Sequence, residues 1–317
     1  MALGSKKTRR VAYQAAALAA LAAAAGFLIS NTAANLAERR IASGFGFLDR
    51  EAGFAIGESF FLRYDAGQTY LQALAVGVVN TLAVSAIGIV VATVLGTAIG
   101  LLRLSGNRLL RGVAAAYVEF VRNVPLLVQL FFWYALITDT LPGPRQALEP
   151  LPNVFLSNRG IYLPSFSSVP SLQGFNFAGG IAISPEFGAL LAGLSVYTAA
   201  FIAEIVRAGF LAVPRGQVEA AQALGLGHWR VVQKVAFPQA LRVIVPPLAS
   251  QYLNLVKNSS LAVAIGYPDL VSIANTTMNQ TGQAIEGVAI IMAVYLTISL
   301  AISALMNWYN ARIASRR

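Results

Sequence analysis

The residues with the chemistry to act in this chain are few, and most sit in apolar surroundings. Lys257 is the clearest case. It lies midway along an apolar stretch between Pro247 and Tyr267. Gln251, Asn254 and Asn258 recur at helical spacing and share one face, with Ser250 and Lys257 flanking it. An unpaired Lys at the centre of a bilayer costs about 2.5–3.5 kcal/mol. Such a stripe therefore faces a helix bundle or an aqueous path. Two chemistries fit it: hydrogen bonding between helices, or a substrate-path lining in which the Lys257 ammonium meets a carboxylate. Two acid–base pairs at i, i+3 spacing, Glu119/Arg122 and Glu204/Arg207, fall near the ends of other apolar stretches. They read as structural pairing at an interface, or as a gate or hinge. Glu204 joins Gln251, Asn254, Lys257 and Asn258 as a candidate for the substrate path. Catalysis finds little support. The chain has no cysteine, a single histidine (His228), no carboxylate pair or metal constellation, and no G-x-x-x-x-G-K-[ST] phosphate loop. Asp269 reads as a turn residue.

The elements that must position these residues are membrane spans. The chain has 317 residues, of which 57% are hydrophobic and 11% charged. Its mean hydropathy is +0.65. A soluble domain carries about 25% charged residues, so the composition excludes that class. Six apolar stretches are long enough to span: Val11 to about Ser30, Gln72 to Leu102, Ala114 to Ile137, Phe187 to Val206, Val243 to Ile265, and Ile285 to Tyr309. The first is too long for the apolar core of a cleaved signal peptide, and we read it as an uncleaved span. Between the third and fourth lies a Pro-rich insert, residues 139–185, without helical periodicity. It reads as a loop, ordered at least in part.

The net charge of +10 would suggest nucleic acid in a soluble protein. Here it reports orientation. Fifteen Lys and Arg fall on the side that holds both termini, and six, Arg39, Arg40, Arg50, Arg63, Arg145 and Arg159, on the other. Basic residues accumulate on the cytoplasmic side of inserted proteins, so both termini and the loop at 207–242 are expected in the cytoplasm. No nucleic-acid partner is implied.

That loop is unusually structured. Gln217 to Leu224 suits a short helix, with small residues Ala220, Ala221 and Ala223 that let another surface approach. Gly225 can take the left-handed conformation that ends it. Residues 228 to 236 suit a second helix, with Trp229, Val232 and Val235 on roughly one face and Pro238 as its stop. Such a knob would be an interaction patch, or an amphipathic loop on the lipid surface.

The spacing Glu219-Ala220-Ala221, Gly225, Val235, Phe237-Pro238 resembles the EAA loop of the permease subunits of bacterial ATP-binding-cassette importers. Val235 and Phe237 replace the usual Ile and Leu. The stretches YVEFVRNVPLLVQLFFWYAL (117–136), YTAAFIAEIVRAGFLAVPRGQVEAAQALGL (197–226) and LVKNSSLAVAIGYPDL (255–270) resemble polar amino acid uptake permeases. The Pro-rich insert and YLTISLAISALMNWYNARI (295–313) are similar to the general L-amino-acid permease subunit. The resemblance covers Tyr70 to Ile313. It implies an all-α, polytopic membrane protein of about six transmembrane helices, one N-terminal helix plus a five-helix type I importer core. Residues 1–70 would form the N-terminal helix and a periplasmic segment. Residues 71–313 would form the transmembrane domain, with a periplasmic insert at 139–185 and a coupling loop at 210–242. It further implies a permease of an ATP-driven amino acid uptake system in the bacterial inner membrane. Glu219, Ala220, Ala221, Gly225, Trp229 and Pro238 would couple it to a dimer of ATPase subunits that carry the ATP and Mg. The remaining partners would be a second homologous permease, a periplasmic amino acid binding protein and the lipid bilayer. The chain itself would hold no cofactor and catalyse nothing. The alternative is a stand-alone secondary transporter or channel for small polar solutes, or a membrane-anchored structural subunit.

Overall fold

The computed structural model describes residues 6–38, 43–59 and 61–314, most of which lie in α-helices. Helix α1 is Lys6–Glu38 and α2 is Tyr70–Leu102; α3 (Arg108–Asn123) and α4 (Leu126–Thr138) precede the insert, and α5 (Pro185–Leu211) follows it. The chain continues through α6 (Arg215–Ala223), α7 (His228–Val231), α8 (Phe237–Asn258), α9 (Leu270–Thr281) and α10 (Ala284–Ala314). Arg39, Arg40, Arg316 and Arg317, which enter the charge balance, lie outside the described residues.

Among the described residues four helical stretches are long and apolar enough to cross a bilayer: Arg9–Thr32, Tyr70–Leu102, Pro185–Leu211 and Ala284–Trp308. A bent pair, α3 with α4, makes a fifth if it is one span. Helix α8 falls short on composition because Arg242, Pro246, Pro247 and Lys257 interrupt it, yet it packs against α5 and α10 and completes the bundle.

Helix α2 begins with a capping box. Thr69 accepts from the Gln72 backbone at 3.3 Å, and Gln72 accepts from the Thr69 backbone at 3.0 Å. It then packs along α5 at glycines. A Cβ on Gly96 would stand 2.6 Å from the Ile202 Cβ, and one on Gly100 would stand 2.7 Å from the Ala203 carbonyl oxygen. Only a bare Cα allows the two backbones to come this close. Leu190, Leu194, Ile202 and Leu255, all fully buried, fill the centre of this cluster.

The expected third span is not one straight helix. Helices α3 and α4 meet at an angle of 106°. Pro125 cannot donate a backbone hydrogen bond, and Val124 before it is extended (φ −96°, ψ 127°), as residues preceding proline prefer. The carbonyls of Val121 and Val124 at the break accept from Gln129 Nε2, at 2.9 and 3.0 Å. A buried helix end needs such a partner.

The insert holds six short strands. They are β1 (Leu148–Leu151), β2 (Val154–Ser157), β3 (Gly160–Leu163), β4 (Ser171–Gln173), β5 (Asn176–Ala178) and β6 (Ile181–Ile183). Four form an antiparallel sheet in the order β1-β2-β3-β6, and β4-β5 is a separate hairpin. Phe155 lies opposite Tyr162, and Ile161 opposite Ile183. Phe177 of the hairpin stacks on Phe155 with ring centroids 4.5 Å apart, and Tyr162 donates to Asn176 at 2.7 Å. The insert that reads as a loop is thus a small β platform above the bundle, while the chain as a whole is predominantly helical as expected.

A second small cluster packs around the N-terminal end of α2. Phe47, Ala52 and Tyr70 pack with Leu270 and Ile273 of α9. Helix α9 lies where no element was expected. It is bracketed by Gly266 and Gly282, whose φ values are +79° and +72°.

Candidate coupling and transport site

The loop between α5 and α8 folds as a compact knob. Helix α6 ends in a Schellman motif. Gly225 has φ +81°, its N–H donates to the Gln222 carbonyl at 2.9 Å, and the Leu226 N–H reaches the Ala221 carbonyl at 3.2 Å. Gly225 therefore does what its position in the sequence suggests. Glu219 and Ala220 are exposed. Ala221 is not. It is 6% exposed and faces inward, so its small size serves packing within the knob. Leu224 is 84% exposed and Trp229 68%, while Val232 and Val235 are half-buried. The apolar surface offered outward is thus Leu224 and Trp229, and Leu224 had not been singled out.

Pro238 does not stop the second helix, contrary to expectation. Residues Val232–Ala236 widen into a π-helical turn, and α8 runs straight on from Phe237. Pro238 lacks the N–H that an α-helix would require, and a wider turn absorbs the defect. Gln239 Nε2 donates to the Val235 carbonyl at 2.9 Å. The knob is therefore anchored twice, by α5 on entry and by an unbroken helical column on return. A cleft of about 360 Å³ between them is lined by Phe210, Val213, Val218, Glu219 and Gln222.

Of the two expected acid–base pairs, one forms. Arg207 Nη2 lies 2.5 Å from Glu204 Oε1. Arg103 at the end of α2 also binds Glu204, through Oε2, a partner 101 residues away that no local pattern announces. Arg122 does not pair with Glu119 as spacing suggested. Its guanidinium lies 5.0 Å over the Phe201 ring, while the Glu119 carboxylate is exposed.

On α8, Asn254 and Lys257 are exposed together with Pro246, Pro247 and Ser250, whereas Gln251 and Asn258 are half-buried. Among the described residues the stripe read from the sequence is thus split, with Asn254 and Lys257 open at the surface and Gln251 and Asn258 partly covered. Neither salt bridge above uses Lys257. No hydrogen bond or salt bridge among the described residues joins Glu204 to the α8 stripe; its partners are Arg103 and Arg207.

Asp269 does more than the turn role read from the sequence, and Glu58 escaped that reading altogether. Asp269 is fully buried as the N-cap of α9, with Oδ1 accepting from the Ser272 N–H at 2.8 Å and Oδ2 unpartnered. Glu58 reaches over the N-terminal part of α2. Its carbonyl accepts from Asn80 at 2.9 Å, and its carboxylate accepts from the Ser184 hydroxyl. Glu58, Ser184, Glu186, Ser272 and Thr276 line a cavity of about 460 Å³. Burial raises the Glu58 carboxyl above its ordinary 4.5; the Ser184 hydrogen bond opposes this, and Glu186 adds to it.

This architecture, a glycine-packed bundle with a capped helical knob hung between two of its helices, is that of a transport permease. Residues 87–315 match the family described as binding-protein-dependent transport system inner membrane component, and the chain belongs to that family. It is a non-catalytic membrane component, and ATP hydrolysis falls to a separate subunit. The chain is 48% identical to a putative amino-acid ABC transporter permease protein, YhdX, of Escherichia coli (strain K12), over 95% of this chain and 93% of that one. It is 40% identical to the general L-amino acid transport system permease protein AapQ of Rhizobium johnstonii, over 99% and 94%. Among solved structures, an amino acid ABC transporter crystallised with histidines matches with a TM-score of 0.58 and 29% identity, over 77% of this chain and 95% of that chain.

Proposed function

We propose that this chain is the membrane-spanning permease of an ATP-driven amino acid importer, and that the α6–α7 knob is its contact with the ATPase. One observation carries the coupling reading. Leu224 and Trp229 are large, apolar and exposed, on a rigidly capped knob that both α5 and α8 hold. Exposed apolar anchors on a rigid mount suit insertion into a groove of a partner. Glu219 and Ala220 flank the same surface, Gly225 and Pro238 shape its mount, and Ala221 supports it from within. Amino acids are the cargo named for YhdX and AapQ, and the similarity over nearly the whole chain supports the same class here. The complete importer would hold a second permease against the polar face of α8, two ATPase subunits carrying ATP and Mg, and a periplasmic amino acid binding protein. Both termini would be cytoplasmic. Transport would proceed by alternating access, in which ATP favours one arrangement of the spans over another.

The test is co-purification from membranes expressing the whole importer, followed by ATP-dependent amino acid uptake in proteoliposomes. We expect the ATPase to purify with the wild-type chain and to be lost from the double variant Leu224→Glu, Trp229→Glu, while the variant chain remains inserted. Uptake without any ATPase would instead establish a stand-alone transporter.

A further inference from the structure

We propose that Arg103, Glu204 and Arg207 are positioning residues that lock α2 to α5 in axial register, so that movement of the knob is delivered to α2 and through it to the outer end of the bundle. This rests on the coupling role of the knob.

Both carboxylate oxygens of Glu204 are engaged. Arg207 Nε lies 3.2 and 3.3 Å from Oε1 and Oε2, its Nη2 takes Oε1, and Arg103 Nη1 takes Oε2. The side chains of Arg103, Glu204 and Arg207 are 14%, 29% and 31% exposed, so water screens the cluster only partly. Arg103 is also the C-cap of α2, where a cation meets the negative end of the helix dipole.

Its position gives the cluster its consequence. Glu204 lies seven residues before the end of α5 at Leu211, about 10 Å along the helix, and α6 follows at Arg215. The other root of the knob is fixed to α5 as well. A Cβ on Gly209 would stand 2.3 Å from Ile244 Cγ1 of α8. Displacement of the knob must therefore carry the cytoplasmic ends of α5 and α8 together.

Helix α2 does not enter the knob. It packs along α5, most closely at Gly96 and Gly100, and touches α8 through a hydrogen bond between the Thr93 and Tyr252 hydroxyls at 3.0 Å. Contacts between small residues and side-chain methyls set the distance between two helices but resist sliding only weakly. A carboxylate held by two guanidinium groups fixes a position along the axis. At its outer end, α2 is tied to the turn before α9. Asn80 donates to the Pro268 carbonyl at 2.9 Å, the Leu270 N–H donates to Thr81 Oγ1 at 3.1 Å, and a Cβ on Gly77 would stand 2.9 Å from the Leu270 Cα. From Thr81 to Arg103 the helix spans about 33 Å. With the cluster intact, α2 is a rod gripped at both ends.

The experiment compares amino acid uptake per ATP hydrolysed in proteoliposomes of the complete importer for wild type, Arg103→Gln and Arg103→Lys. We expect Arg103→Gln to assemble and hydrolyse ATP while uptake per ATP falls about tenfold, the size of effect that loss of one charge-assisted hydrogen bond represents. Arg103→Lys keeps a cation for the single Oε2 contact and should restore most of the ratio. An unchanged ratio in Arg103→Gln would overturn the proposal. So would failure of Arg103→Gln to assemble alongside a normal Arg103→Lys, because the cluster would then serve folding alone. A wild-type importer whose ATPase neither binds nor responds to the knob would instead defeat the coupling role itself.

Discussion

Glu58 joins the N-terminal parts of three helices. Its carbonyl receives Asn80 of α2, its carboxylate receives Ser184 at the cap of α5, and it shares a cavity with Ser272 and Thr276 of α9. Burial holds its proton more tightly in the folded protein than in the unfolded chain. A group of that kind destabilises the fold when it ionises. Stability should therefore fall as pH rises from the ordinary 4.5 through the raised folded value. Glu58→Gln keeps an acceptor for Ser184 and removes the titration. Thermal unfolding of the two proteins across acidic to neutral pH should show the wild type losing ground to the variant as pH rises; parallel curves would mean that Glu58 titrates as in solution. Nothing near Glu58 in the sequence announces this. Its partners are 22 and 126 positions away, and the same is true of Arg103 with Glu204. The Glu204–Arg207 pair was legible because both residues lie on one helix, three apart.

At the scale of elements, most long apolar runs were read within a few residues, since hydropathy alone selects spans of about 20 residues. The fifth is shifted: α8 begins at Phe237 and gives way after Asn258 to a 3-10 turn, Ser259–Ile265, so that Lys257 lies in its last turn and not at its middle. The knob was legible from spacing, because Gly225 ends α6 by local backbone chemistry. Three elements were misread for physical reasons. Pro125 marked the α3–α4 break in plain view, but the Gln129 side chain that caps the broken end is not a local signal. Pro238 looked like a stop because a π-helical turn leaves no pattern in residue types. The strands of the insert are three or four residues long, too short for an alternating pattern to stand out, and their apolar residues meet through Phe155, Tyr162 and Phe177 only once folded. The orientation that the basic residues predict for these elements can be checked directly, because the chain has no native cysteine. A cysteine at Phe166, which is fully exposed in the insert, should react with a membrane-impermeant thiol reagent applied to spheroplasts. One at His228, exposed on the knob, should react only after the cells are broken. The reverse pattern would invert the topology.

Across the whole molecule, the surface divides into faces of opposite character. Helix α10 presents Ile285, Val288, Met292, Leu296 and Leu300, each roughly half exposed or more, at the spacing of a single apolar stripe. That face suits acyl chains. Helix α8 presents Pro246 and Pro247 together with Ser250, Asn254 and Lys257, and lipid would solvate the last three poorly. With Lys257 costing about 2.5–3.5 kcal/mol in hydrocarbon, the α8 face belongs against protein or water. In the importer we propose, the second permease and the path between the two would meet it. A fluorophore on a cysteine at Asn254 should therefore be shielded from a lipid-borne quencher and reached by a water-soluble one when the path is open. Lys257→Met removes the charge but keeps much of the side-chain length. It should leave the importer assembled and reduce uptake about tenfold or more, the scale expected when one charged contact is lost. Quenching from lipid, together with wild-type uptake by Lys257→Met, would place α8 at the bilayer and leave its polar stripe without a role in transport.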